Sequence, residues 1–487
     1  MRLPLCFLAF TALAARADIV FTEIHYHPVE EPTFNTDGTP VYDLSNDIHE
    51  FVEIQNTGAS AVDLSGYVIS GGIDFSFPAG TTIASGAFKV IAKTPARIET
   101  VYALTSGSVL GAYTGSLSNN SDTIRIKNAA GDVLDSVTYD SKFPWAQSAD
   151  AMGAADRFTG LTSSSYNFKG RSLQRVSTSW ASGDPANWLA SSLTGPTPGS
   201  AQSVTRTVPK PVVTAQNYAQ TSDGSILVRA SQAVTVNCTF SATSSLSSVT
   251  LEYFLDDVNS TTETKSTVTM TDLGSGKYTA SIPGQVDKSI VRYRFKANRG
   301  DGLEVVSPRS DDPQIAPVGT SGALEAWFGY YVTPVRTTTN AAIYDLLIGT
   351  TPLTQMNTNI TQTSKRTTAG SATGIPRDKE ILLAKGQTVT ATTPLWNGSQ
   401  PAVFACNGIL YDVHIRYHGS RYHRAATNHS FKLHFLEHQK FNERDSWFVT
   451  GHAQEFIEAT KMNRLLGLPA SNMRAVSWYF NTSAVET

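Results

Sequence analysis

Apolar and polar side chains alternate with a period of two along most of the chain. In HEFVEIQNTG, Phe51, Glu53 and Gln55 fall on one face and Val52 and Ile54 on the other, and the run stops at Asn56-Thr57-Gly58. FKVIAK, DTIRIKN and DVLDSVTY repeat the pattern, with Gly, Asn and Asp at the breaks. Short strands at this spacing predict an all-β sandwich or barrel over residues 18–203. After the Pro-containing stretch VTRTVPKPV, the runs AVTVNCTFSA, SVTLEYFLD, KYTASIP and SIVRYRFKAN predict a second sandwich, so 204–315 reads as an immunoglobulin- or fibronectin-like spacer. Residues 316–339 read as a linker. From 340 to 487 the pattern is mixed: IYDLLIG is a strand or short helix, TQTSKRTTAGSATGIPRDK a polar loop, and HAQEFIEATKMNRLLG a helix closed by Gly467 and Pro469. The expected fold class is mainly β, two immunoglobulin-like sandwiches followed by an α+β module.

A chain of 487 residues exceeds what one hydrophobic core supports, which agrees with about three domains. The formal net charge of -3 gives no general pull toward nucleic acid or anionic membrane, so any basic function must be local. MRLPLCFLAFTALAARA places an Arg before a short apolar run and ends on Ala15-Arg16-Ala17. This is the pattern of a secretory leader over residues 1–17, and it implies a secreted or cell-surface protein. Of the remaining cysteines, Cys238 and Cys406 sit in apolar strand patterns of different domains and read as buried thiols rather than a disulfide. No later segment is long and apolar enough to anchor the chain in a membrane.

Two places invite a chemical reading. Glu23, His25, His27, His49, Glu50 and Glu53 cluster in sequence, with His25 and His27 pointing the same way on a strand, but a family resemblance carried by residues 18–202 places the three carboxylates on ordinary strand motifs and so implies no metal. The other is YDVHIRYHGSRYHRAATNHSFKLHF, residues 411–435, which carries five of the ten histidines and four Arg or Lys residues against the single acid Asp412. Alternation turns Tyr411, Val413, Ile415 and Tyr417 toward a core and Asp412, His414, Arg416 and His418 away from it. Phe431, Leu433 and Phe435 likewise face inward, opposite Lys432 and His434.

His414 and His418 are roughly 13 Å apart at about 3.3 Å per residue, too far to share one ion. His423 and His429 lie in the loop with no acidic or thiol partner nearby, so no metal site is assigned. Nucleic-acid binding wants aromatic rings on the cation face, and Tyr411 and Tyr417 point the other way; no nucleic-acid partner is expected. A phosphate cradle fits better. Gly419 lets the backbone approach a ligand, and Arg416, Arg421 and Lys432 supply charge-assisted donors. The plainer alternative is a solvated strand face.

IVFTEIHYHP, HEFVEIQNTGASAVDLSGYVIS, FPAGTTIASGAFKVIAK, NNSDTIRIKNAAGDVLDSVTYD, PWA, GRSLQRV, NWLASS and GPTPGSA follow one another in an order that resembles the lamin tail domain across residues 18–202. The resemblance implies an immunoglobulin-like sandwich without catalytic residues and a role in adhesion or scaffolding in an exported bacterial protein. The segment 411–435, the helical stretch after it, LGLPASNMRAV and WYFN resemble the opening part of the CotH kinase-like family over about 340–487. That resemblance places Arg416, Gly419, Ser420, Arg421 and Lys432 at cofactor-binding positions, and Asn481 at an Asn that closes a later strand. The sequence departs from the family where Ser420-Arg421-Tyr422 replaces Asn-Ser-Ser and Asn428-His429 replaces a Lys pair.

Kinase-like members carry their metal-binding acids downstream of that Asn strand. The expectation is therefore a module cut short, with no catalytic residue and no cofactor in this chain, and ATP and Mg reserved for a full-length parent. The rival expectation is a non-enzymatic adhesion protein with a degenerate CotH-like domain. Extracellular proteins or polysaccharides are the partner class under either.

Overall fold

The computed structural model describes residues 19–28, 33–34, 40–41, 47–150, 171–192, 195–202, 204, 211–218, 227–241, 246–260, 262–299, 304–309, 327–336, 343–360, 400–418, 429–435, 439–444, 446–449, 462–463, 465–466, 476–481 and 483–486. Strands dominate it, as the alternation predicts. The leader, the greater part of the 452–467 helix, and the loop residues Gly419, Ser420, Arg421 and His423 lie outside the described residues.

The N-terminal part is a sandwich of two five-stranded sheets. One has the order Trp188–Ala190, Leu173–Arg175, Ile19–His25, Phe51–Asn56, Phe88–Ala92, and the other Thr114–Gly115, Ile73–Ser76, Val68–Gly71, Ser121–Lys127, Val133–Asp140. Phe21, Val52, Ile54, Ile124, Ile126, Val137 and Trp188 meet between them. The outer face of the first sheet is covered too. Phe51, Val90 and Ala92 pack under Ile98 of helix Pro95–Tyr102, and all seven residues of Ile19–His25 are buried.

The second sandwich packs a four-stranded sheet, ordered Val213–Tyr218, Val234–Phe240, Lys277–Ile282, Thr271–Gly274, against strands Leu246–Asp256 and Ile290–Arg299. Cys238 is buried in this core and Cys406 in the next; neither is in a disulfide. Ile290–Arg299 pairs with Phe328–Tyr331, from Ile290↔Tyr331 to Tyr293↔Phe328, and Tyr330 pairs onward with Ile409. A strand inside the stretch read as a linker thus carries the sandwich sheet into the C-terminal strands. There Ile409–Tyr417, Gln400–Cys406, Ile343–Leu347, Ser477–Phe480 and Ser483–Glu486 continue it, with Phe431–Phe435 and Ser446–Val449 branching from Ile409–Tyr417.

Side chains lock this junction. Arg292 donates from Nε to Asp256 (2.8 Å) and from both terminal nitrogens to Asp412 (2.7 and 3.2 Å), one buried guanidinium joining the second sandwich to the C-terminal strands. Gly329 is needed beside it, because a Cβ there would stand 2.8 Å from Leu410 Cδ2 and 3.0 Å from the Val291 carbonyl oxygen. The N-terminal sandwich also reaches this junction. The Phe143 ring packs edge-on against Phe328 at 5.3 Å, and Arg309 donates to the carbonyls of Pro144 (3.0 Å), Pro185 (2.5 Å) and Trp188.

Replacing Arg292 by Met should cost about 3–5 kcal/mol, because two carboxylates lose their buried counter-ion. Adding Asp256→Asn and Asp412→Asn should restore most of it. Denaturant unfolding of the single and triple variants checks this, and no recovery in the triple would show that the ion cluster does not hold the junction.

Candidate anion-binding site

Ile409–Tyr417 and Phe431–Phe435 are half-buried, amphipathic strands, so their register decides which cations meet. Tyr417, Ile415 and Val413 lie opposite Phe431, Leu433 and Phe435 and are buried in the C-terminal core with Phe404 and Phe441. On this side Tyr417 donates its hydroxyl to Asn357 of helix Thr350–Ile360 (2.5 Å). On the other side Arg416 lies directly opposite Lys432, and His414 directly opposite His434. His418 follows on the same face, where burial and then the charges of Arg416 and Lys432 hold its imidazole below the ordinary histidine range.

The third strand adds what the first two lack. Phe448 pairs with Lys432 across Ser446–Val449 and is 54% exposed. Its ring lies 4.2 Å from the His418 ring and 5.4 Å from Lys432 Nζ. The cation face therefore does carry an aromatic ring. The alternation of Trp447 inward, where its indole donates to the Phe441 carbonyl (2.9 Å), and Phe448 outward is the sequence signal that would have found it.

The same sheet face changes character along its length. Near the second sandwich it is apolar, with Leu347, Val403 and Leu410 buried against Ile290, Tyr331 and Val258. Asp412, the single acid of the segment, is held by Arg292. Beyond it come the cations. An anion lying over Arg416 and Lys432 would meet a guanidinium and an ammonium as charge-assisted donors.

Of the residues expected from the resemblance to bind a cofactor, the structure brings Arg416 and Lys432 together; Gly419, Ser420 and Arg421 are outside the described residues. Asn481 is engaged by backbone. Its Oδ1 accepts from Ile348 N (2.9 Å) and its Nδ2 donates to Ile348 O (3.2 Å), which fixes the end of the parallel pair formed by Ile343–Leu347 and Ser477–Phe480.

In the N-terminal sandwich, Glu23 and Glu53 lie opposite each other on adjacent strands beside a bulge, both fully buried. Glu23 accepts from Ser172 Oγ, Gln174 Nε2 (2.9 Å) and Thr197 N (3.1 Å), and Glu53 from Thr22 Oγ1 (2.7 Å), Gly199 N (2.6 Å) and Gln202 Nε2 (2.5 Å). The pair thus pins segment 195–202 over the sheet. Burial pushes Glu23 up to about 7, and burial followed by the Glu23 charge raises Glu53 as well. Glu50 accepts from Tyr113 Oη and Leu117 N, both 3.1 Å, and burial, then Asp47, pushes it up to about 8. His27 pairs with Asp150, and Arg97 Nε donates to His49 Nε2 (2.9 Å). These groups clamp loops and ends together. Among the described residues no three His, Cys, Asp or Glu side chains converge on a point that could hold a metal ion.

Two packed antiparallel sheets with buried polar clamps define the N-terminal part as an immunoglobulin-like β-sandwich domain. Residues 12–141 match the family model described as Lamin Tail Domain, and this part of the chain is a lamin tail domain. Its fold runs past the matched residues, because Leu173–Arg175 and Trp188–Ala190 complete the first sheet and 195–202 covers it. No curated protein matches the chain.

The raised carboxyl groups give a signed pH dependence. Their folded pKa values lie above the ordinary value of 4.5, so between those limits the folded state holds protons that the unfolded state has released. Their contribution is complete below about pH 4.5 and is lost as pH rises through about 7 to 8. The unfolding midpoint of the N-terminal domain should therefore fall between about pH 6 and pH 9, and Glu50→Gln should flatten the fall. Tryptophan fluorescence during thermal unfolding reads it; an unchanged slope in the variant would remove Glu50 from this account.

Proposed function

We propose that the chain is an exported modular scaffold whose lamin tail domain and second sandwich present a C-terminal strand face that binds phosphate-bearing ligands. The observation that carries this reading is the Arg416–Lys432 cross-strand pair with His418 beside it, on the sheet beyond the stretch packed against Ile290, Tyr331 and Val258. A guanidinium and an ammonium side by side offer several charge-assisted donors to one phosphate. The leader-like first 17 residues support export. Among the described residues no helix is long and apolar enough to cross a membrane.

The resemblance to the front of a CotH kinase-like module supports a phosphate as the anion. The role proposed for this chain is binding. Phosphoryl transfer would also need carboxylates that hold metal and a group that orients the acceptor, and no residue is assigned to either task. The exposed Phe448 ring favours a second reading, a non-enzymatic surface protein whose face stacks on a sugar ring.

Arg416→Ala and Lys432→Ala should each weaken tripolyphosphate or ATP binding by about tenfold or more, as expected for loss of a hydrogen bond between charged groups. Titration calorimetry measures it. Unchanged affinity in both variants would overturn the phosphate reading, and loss of glycan binding in Phe448→Ala alone would favour the second. Expressed with its first 17 residues in a bacterium, the protein should be recovered outside the cytoplasm beginning at Asp18, which N-terminal sequencing checks; an intact Met1 would argue against export.

A further inference from the structure

We propose that the lamin tail domain closes a covalent cross-link of its own, an amide between Lys93 Nζ and Asp47 Cγ, with Glu50 carrying the protons. The inference is independent of the cation face.

The three side chains meet at one end of the first sheet. Asp47 precedes strand Phe51–Asn56 and Lys93 follows strand Phe88–Ala92, and these antiparallel strands pair from Phe51↔Ala92 to Gln55↔Phe88. Glu50 links the two: its backbone N–H donates to the Asp47 carbonyl (3.2 Å), and its own carbonyl accepts from Lys93 N (3.3 Å). Lys93 Nζ stands 3.7 Å from Asp47 Oδ2 and donates to Ser116 Oγ (2.7 Å), which fixes its direction. With side-chain exposures of 25% for Lys93 and 13% for Asp47, amine and carboxyl are largely shielded from water. Holding two reactants in place supplies an effective molarity of up to about 10⁵–10⁸ M, which favours condensation over the separated pair.

Glu50 sets this ion pair apart from an ordinary surface pair. It is fully buried; Oε2 accepts from Tyr113 Oη and Leu117 N, while Oε1 has no hydrogen-bond partner among the described residues. A buried polar atom left unpaired is a cost that structures rarely carry without a use. Burial and then the Asp47 charge push Glu50 up to about 8, and the Lys93 charge acts in the opposite sense, so this carboxyl senses both reactants and holds a proton at neutral pH. A neutral carboxylic acid so placed can give a proton to one reactant and take one from the other.

The step balances without a co-reactant. A proton passes from the Lys93 ammonium to the Asp47 carboxylate, leaving an amine and an acid. The amine lone pair forms a C–N bond to Asp47 Cγ. The C–OH bond then breaks, the hydroxyl leaves as water with a proton from Glu50, and Glu50 recovers a proton from the nitrogen. The product staples Phe88–Ala92, the last strand of the first sheet, to the turn ahead of its neighbour.

The full chain, incubated at neutral pH until its mass is constant, is weighed intact and after digestion by mass spectrometry, beside Lys93→Arg and Glu50→Gln. Wild type should weigh one water less than its residues require and yield a branched peptide that joins Asp47 to Lys93. Lys93→Arg keeps the charge but should show neither change. Glu50→Gln keeps both reactants and should be recovered mainly at full mass. Wild type at full mass, or one water lighter with Asp47 and Lys93 in separate peptides, would overturn the proposal. Complete condensation in Glu50→Gln would remove Glu50 from the step.

Discussion

Everything C-terminal to the lamin tail domain depends on the pairing of one four-residue strand, Phe328–Tyr331. It fills the gap between Ile290–Arg299 of the second sandwich and Ile409–Tyr417 of the cationic face, and Phe328 also receives Phe143 from the lamin tail domain. Backbone hydrogen bonds on both sides of a strand leave it little freedom to shift, since a slip of one residue would turn every side chain to the other face. The three parts are therefore coupled through one sheet and two side-chain locks, Arg292 and Arg309. Moving the C-terminal strands would break the Arg292 ion pairs, and moving the lamin tail domain would break the Arg309 hydrogen bonds to three carbonyls.

Burial of charge is organised differently at the two ends of the molecule. At the junction, Arg292 is matched by two carboxylates, and Arg336, bonded to both oxygens of Asp345 at 2.6 Å and stacked over Tyr479, repeats the arrangement on the neighbouring strands. These are opposite charges in low dielectric, and removing one partner leaves the other stranded. In the lamin tail domain the buried acids Glu23 and Glu53 face each other with neutral donors instead. Two adjacent carboxylates in a water-poor site cannot both ionise without strong repulsion, so a proton becomes part of the fold.

Alternation made the sandwiches and the parity of residues 411–435 legible in the sequence, because a half-buried strand writes its burial into every second position. It was silent where both faces are covered. Trp327-Phe328-Gly329-Tyr330-Tyr331-Val332 is a continuous apolar run with no period, so the strand that joins the modules falls in a stretch that reads as linker. Glu53 falls on the Phe51 and Gln55 face, opposite the Val52 and Ile54 face that packs between the sheets. Helix Pro95–Tyr102 packs over part of that outer face, and residues 172–202 engage Glu23 and Glu53 from far along the chain, a covering that no local pattern encodes.

The cationic site illustrates the same limit at closer range. Residue spacing along one strand separates His414 from His418 and so argues against a shared metal, but it says nothing of the strand alongside. Only the register of Phe431–Phe435 puts Lys432 against Arg416 and His434 against His414, and only the further pairing of Ser446–Val449 brings Phe448 over Lys432. What reads in sequence as scattered histidines is in space two cross-strand pairs, His414 with His434 and Arg416 with Lys432, beside an aromatic ring. The position of the site follows from the sheet itself: the second sandwich packs on the apolar half of that face as far as Leu410, Arg292 neutralises Asp412 at the boundary, and the Arg416–Lys432 pair lies beyond it.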